Sequence, residues 1–82
     1  MVLPTGNQLR AARALAGLKA TELARLAKID ASTISRLESA RHKNVRGMAT
    51  TVDAVVQALN RKGVRIVDDD TQVAVVLKKA RR

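Results

Sequence analysis

With 82 residues the chain is too short to divide its apolar side chains between two cores, so one compact unit is expected. The absence of cysteine excludes disulfides and thiolate metal sites, and the absence of Phe, Tyr and Trp removes the rings on which single-strand binders stack bases. Sixteen Lys and Arg against seven Asp and Glu give a formal charge of +9, which points to a polyanionic partner, with duplex nucleic acid ahead of single strands.

The charge is uneven along the chain. Residues 31–48 carry Arg36, Arg41, Lys43 and Arg46 against Glu38 alone, whereas residues 63–77 carry Arg65 against Asp68, Asp69 and Asp70. Lys78, Lys79, Arg81 and Arg82 form a second positive cluster, either an electrostatic arm or a solvated tail. No stretch approaches the roughly 18 apolar residues of a membrane span. Met1-Val2-Leu3-Pro4 lacks a basic segment followed by an apolar run, so neither export nor insertion is expected and the chain reads as cytoplasmic, at the nucleoid. So small an unstapled core also favours a second subunit.

The first helix is expected to start at Thr5-Gly6-Asn7-Gln8, whose Ser/Thr-x-x-Glu/Gln spacing lets a hydroxyl and an amide satisfy otherwise unpaired backbone N–H groups. Leu9, Ala12 and Ala16 share one face, and Gly17 is a natural left-handed stop, which ends the helix near Leu15 or Ala16. Ala20, Leu23, Ala24 and Ala27 repeat at i, i+3, i+4, i+7 and predict a second, alanine-rich helix from about Ala20 to Ala27. After Lys28-Ile29, the Asp30 side chain stands where it can accept from the first-turn amides of a third helix, Ala31 to about Ser39. Ile34 and Leu37 face inward, which leaves Ser32, Thr33, Ser35 and Arg36 outside, a set of donors that packing does not call for.

Arg41 to Gly47 lacks an apolar repeat and reads as a loop. Thr50, with Asp53 three residues on, is the expected cap of a fourth helix. Its buried stripe is Val52, Val55, Val56 and Leu59, and Gly63 ends it behind Arg61 and Lys62, cations suited to a helix C-terminus. Val64–Val67 and Gln72–Leu77, rich in β-branched residues, flank Asp68-Asp69-Asp70-Thr71 and read as a hairpin. Val73-Ala74-Val75-Val76-Leu77 is apolar on both strand faces, so something covers it: the chain's own helices, or a second subunit. Val64, Ile66, Val73, Val75 and Leu77 are the dimer candidates. The fold class is thus mainly α: a compact four-helix core over residues 1–62, with residues 63–82, hairpin and basic tail, belonging to the same domain and serving as the dimer element.

Leu18-Lys19-Ala20-Thr21-Glu22-Leu23-Ala24 through Ile29-Asp30-Ala31-Ser32-Thr33-Ile34-Ser35-Arg36-Leu37-Glu38 resembles the helix-turn-helix of the Cro and phage-repressor family, often called Xre-like. The resemblance spans residues 5–60, and Leu9-Arg10-Ala11-Ala12-Arg13 looks like that family's first helix. It implies a homodimeric, sequence-specific transcriptional regulator whose third helix enters the major groove of a roughly palindromic operator. The base-reading positions that it implies are Ala31, Ser32, Thr33 and Arg36. Arg36 leads, because its planar fork can donate to guanine O6 and N7 together, a discrimination of about 1–3 kcal/mol. Ser32 and Thr33 fit bases or phosphates alike.

The phosphate-binding positions are Lys19, Thr21, Ser39, Arg41, Lys43, Asn44 and Arg46. Lys19 is informative because a cation at a helix N-terminus opposes the dipole unless an anion binds beside it. The family likeness also implies a structural pair, Arg13 with Glu38. Three departures from the family pattern thin the direct readout: Ala20 where Gln is common, Lys28 where the turn often has Gly, and Ala31 where a longer polar reader is frequent. Lys28 is then expected in a left-handed conformation, at a cost of roughly 1 kcal/mol.

No cofactor and no metal are expected. His42 is the only histidine, and it reads as a solvated or phosphate-facing loop residue instead of a catalyst, so the chain is not read as an enzyme. The partners implied are double-stranded DNA, a second copy of the chain and, for an activator, RNA polymerase. The alternative function is a protein-interaction module, an antiactivator or antitoxin, built on the same scaffold.

Overall fold

The computed structural model describes residues 4–43, 45, 49–68 and 73–77. In chain order it contains α1 (Gly6–Leu15), α2 (Ala20–Ala27), α3 (Ala31–Glu38), α4 (Ala49–Arg61), β1 (Val64–Asp68) and β2 (Val73–Leu77). This is the expected architecture, four helices followed by a two-stranded antiparallel hairpin.

Each helix start shows how the sequence sets it. At α1 the Thr5 Oγ1 accepts from the Gln8 amide at 3.1 Å, and the Gln8 Oε1 accepts from the Thr5 amide at 2.8 Å, completing the capping box. The two first-turn amides in between are satisfied from far along the chain. Gly6 N–H donates to the Lys43 carbonyl at 3.2 Å, and Asn7 N–H donates to the Arg41 carbonyl at 2.8 Å. Gly17, at φ +73°, takes the left-handed position after the helix.

At α2 the Glu22 carboxylate accepts from the Lys19 amide at 2.8 Å. Lys19 therefore does not face the helix dipole alone, because an acidic side chain already occupies the first turn. That weakens the sequence-level argument that a bound anion is needed there. α2 ends with Lys28 at φ 59°, ψ 45°, the expected left-handed residue of the turn.

Asp30 holds the N-cap position of α3 with extended backbone, but its side chain makes no capping bond. The Asp30 backbone carbonyl does the local work, accepting from Thr33 N–H at 3.0 Å and Ile34 N–H at 3.4 Å. Thr50 is likewise not a cap, since α4 already begins at Ala49 and includes it. At the other end of α4, Gly63 takes φ +84° as the stop.

The core is aliphatic throughout. Leu9 and Ala12 from α1, Leu23, Ala24 and Ala27 from α2, and Ile34 and Leu37 from α3 close on Val52, Val55, Ala58 and Leu59 from α4. Val56 is half-buried and packs at the margin of the core, and Ala58, completely buried, extends the stripe on its other side. The alanines let helix axes approach closely, which compensates for the small area each buries. Val45, within the stretch that reads as a loop, is 1% exposed and belongs to the core, and its amide donates to the Pro4 carbonyl at 2.8 Å.

The hairpin pairs Val64 with Leu77, Arg65 with Val76 and Ile66 with Val75. Alternation puts Val64, Ile66 and Val75 toward the helices and Arg65, Val67 and Val76 on the outer face. Both strands lie against α1, and β1 also lies against α4, so one face of the hairpin is covered by the chain's own helices. Val64 is completely buried inside the protomer, which removes it as a dimer contact. Ile66 and Val75 are half-buried against the core, Leu77 is 46% exposed, and the Val73 side chain falls outside the described set. The outer face carries its own apolar surface, Val67 at 41% and Val76 at 46% exposed.

Candidate nucleic-acid interface

The position of α3 follows from what holds its two ends. Ile34 and Leu37, 1% and 2% exposed, seat its inner face in the core. At its C-terminal end the Arg13 guanidinium grips Glu38 in a bidentate pair, Nε to Oε2 at 2.7 Å and Nη2 to Oε1 at 2.9 Å. The third branch of Arg13 donates from Nη1 to the Leu18 carbonyl at 3.1 Å. One side chain thus ties α1, the α1–α2 turn and α3 together, in the pairing that the sequence resemblance implied. It is the only ion pair among the described residues. Donation to the Glu38 carboxylate raises the Arg13 pKa, so the arginine stays charged throughout any ordinary pH range.

Gly6 makes a second tether that sequence reading missed. A Cβ placed on it would stand 2.5 Å from the Glu38 carbonyl oxygen and 2.6 Å from the Arg41 amide nitrogen. The start of α1 therefore lies directly against the end of α3, a contact that only glycine permits. Its amide and that of Asn7 then hold the carbonyls of Lys43 and Arg41, which fixes the first residues after α3. Arg41 adopts φ 54°, left-handed like Lys28, and these are the two non-glycine residues with positive φ among the described residues.

On the outer side, α3 stands between two hollows. One is lined by Lys28, Ile29, Asp30, Thr33, Arg36 and Thr51, so the α2–α3 turn, one flank of α3 and the first turns of α4 share it. The other is lined by Arg10, Arg13, Ser35, Glu38, Ser39 and Arg41, so α1 and the post-α3 turn share it with the opposite flank. Thr33 and Arg36, three residues apart, fall on one flank, and Ser35, Glu38 and Ser39 fall on the other.

Of the four residues singled out for base reading, Ser32 and Arg36 are exposed and Thr33 is half-exposed at the rim of the first hollow. Ala31 is half-buried and packs on the core, so it offers little surface. Lys19, Thr21, Arg41 and Lys43, singled out for phosphate, are all exposed. Ser39 is exposed as well, but its hydroxyl donates to the Arg36 carbonyl at 2.6 Å. To donate to a phosphate, Ser39 would exchange that bond for the new one. Asn44 and Arg46 lie outside the described residues.

A family model described as a helix-turn-helix domain matches residues 5–66. The chain belongs to the helix-turn-helix domain family. Membership covers α1 through the first part of β1, including both tethers of α3, and it points to duplex DNA as the partner and to a regulatory role. Helix-turn-helix domains of this kind are typically binders without enzymatic activity. No curated protein matches the chain.

Two further observations bear on the chemistry available. His42 is exposed, and among the described residues no three His, Asp or Glu stand together as metal ligands. No helix of the described residues is long and apolar enough to cross a membrane. The helix-turn-helix domain also uses Arg61 in a way its sequence did not announce. Its Nη2 donates to the Leu26 carbonyl at 3.1 Å, satisfying the C-terminal end of α2 in place of its own helix.

Proposed function

We propose that this helix-turn-helix protein is a sequence-specific transcriptional regulator of the Cro and phage-repressor (Xre-like) type. It binds duplex DNA as a homodimer, with α3 in the major groove of a roughly palindromic operator. The observation that carries the reading is the form of α3: a short helix, fixed at its end by Arg13 and Gly6, whose outer side presents Ser32, Thr33 and Arg36 between two hollows bordered by cations. Arg36 is the principal base reader, by bidentate donation to guanine. Thr33 and Ser32 add contacts to bases or to the adjacent phosphates, and Ala31 contributes shape alone.

Lys19, Thr21, Arg41 and Lys43 hold the phosphates, and Asn44 and Arg46 continue that set. Residues 1–62 and 63–82 work as one domain, because the hairpin shares the core through Val64. The dimer surface is the hairpin's outer side, with Val67 and Val76 replacing Val64 in the proposed contact; Leu77, paired with Val64, belongs to the inner face. The protein acts in the cytoplasm at the nucleoid and needs no cofactor. As an activator it would also touch RNA polymerase. The same exposed apolar strip on the hairpin favours the second reading, a protein-interaction module, in which it binds a different protein.

Selection from random duplex DNA tests the proposal. Enriched sequences are expected to contain two related half-sites whose centres lie about 34 Å apart or a multiple of it. A pool that stays unenriched after several rounds would contradict sequence-specific binding.

A further inference from the structure

We infer that Arg10 on α1 and Arg41 after α3 form a phosphate-binding cleft along the α1 flank of α3. The inference rests on the reading of α3 as the DNA-facing helix and extends it to Arg10, a residue that neither the motif nor the family match singles out.

The charges in the two hollows differ. In the cleft lined by Arg10, Arg13, Ser35, Glu38, Ser39 and Arg41, the one acid is consumed by Arg13 through two hydrogen bonds. Among the described residues, Arg10 and Arg41 remain as two exposed guanidinium groups that no carboxylate pairs. The opposite hollow also holds two cations, Lys28 and Arg36, but it sets Asp30 beside them. Among the described residues, the α1 flank therefore carries the larger net positive charge. Ser35 is the exposed hydroxyl in that cleft, and Ser39 has already donated its hydrogen within the helix end.

Arg41 supplies the second, independent observation. It is held left-handed at φ 54°, a conformation that glycine or asparagine adopts at lower cost, and its carbonyl is fixed by the Asn7 amide at 2.8 Å. The left-handed backbone and the Asn7 bond fix where Arg41 leaves the end of α3, at the cleft that Arg10 also lines. A helix lying in the major groove has a phosphate strand on each side, so a cleft running along one flank of α3 faces one of those strands. The ligand is a backbone phosphate of that strand, and each guanidinium binds it by charge-assisted hydrogen bonds.

Fluorescence anisotropy with a labelled duplex, recorded over a series of salt concentrations, tests this with the full chain. The variants are Arg10→Gln, Arg41→Asn, which tolerates the left-handed backbone, and Lys62→Gln as a control. Lys62 is exposed just beyond α4, at the end opposite Thr51, and lines neither hollow. Arg10→Gln and Arg41→Asn should each weaken binding severalfold and lower the salt slope by about one, and their combination by about two. Preference among duplex sequences should stay as in the wild type, because phosphate contacts carry no sequence information. Lys62→Gln should change the slope by much less. If the wild type binds and Arg10→Gln keeps its full slope, the cleft is overturned while the DNA reading stands. If the wild type binds no duplex even at low salt, both are overturned.

Discussion

Gly6 touches the end of the proposed reading helix so closely that a methyl group on it would stand 2.5 Å from the carbonyl oxygen of Glu38. Both partners are backbone, so no side-chain rotation relieves the overlap. Gly6→Ala should therefore push α1 away from α3, strain the Arg13–Glu38 pair and cost about 1–3 kcal/mol of stability. Urea unfolding monitored by circular dichroism measures it, and a loss below about 0.5 kcal/mol would show that the two helix ends do not meet as described.

Lys28 occupies the turn between α2 and α3 with φ 59°. Lys28→Gly should relieve the left-handed cost, with part of the gain offset by the greater freedom of glycine in the unfolded chain. The net expectation is a rise in unfolding free energy of a few tenths to about 1 kcal/mol. Thermal melts of the two proteins compare them directly, and a clear drop in stability would mean that the lysine stem packs in a way the turn geometry does not convey.

These two sites mark what the sequence makes legible and what it does not. Helix ends set by local chemistry are readable: the Thr5 and Gln8 box, Gly17 and the Ala20–Ala27 periodicity follow from neighbouring residues, while the left-handed Lys28 follows from the family resemblance. Features that depend on a distant segment are not. Gly6 looks like any residue of a capping box until α3 is laid against it, and Val45, a lone apolar residue in a polar stretch, has no periodicity to reveal its burial.

Thr50 and Asp53 mimic a capping box inside a helix that starts at Ala49. The spacing of Val52, Val55, Val56 and Leu59 marks a helix face but not its exact centre, which lies toward Ala58. In the candidate site, the exposure of Ser32 and Arg36 and the pairing of Arg13 with Glu38 were foreseeable, the pairing from the family resemblance. The Ser39 bond to the Arg36 carbonyl and the cleft beside Arg10 were not, because both arise from how the end of α3 packs.

The hairpin bears the proposed dimer contact on its outer face. Removing the hairpin would be uninformative, because Val64 would leave the core with it. Replacing Val67 and Val76 together by Glu places two charges on the outer face and leaves the inner packing untouched. Sedimentation equilibrium should then report monomer where the wild type is a dimer, with the melting temperature of the isolated protomer retained. A dimer that survives the double substitution assigns the contact to another surface.

If α3 reads bases through Arg36, one binding series shows it. Wild type and Arg36→Ala are titrated against a selected operator duplex and a scrambled duplex of the same length at fixed salt, with circular dichroism confirming that both proteins are folded. Arg36 is exposed, so its truncation should leave the fold intact. The account predicts that the wild type prefers the operator and that Arg36→Ala loses about 1–3 kcal/mol of that preference while retaining most of its affinity for the scrambled duplex. An Arg36→Ala protein that still discriminates as well as the wild type would contradict it.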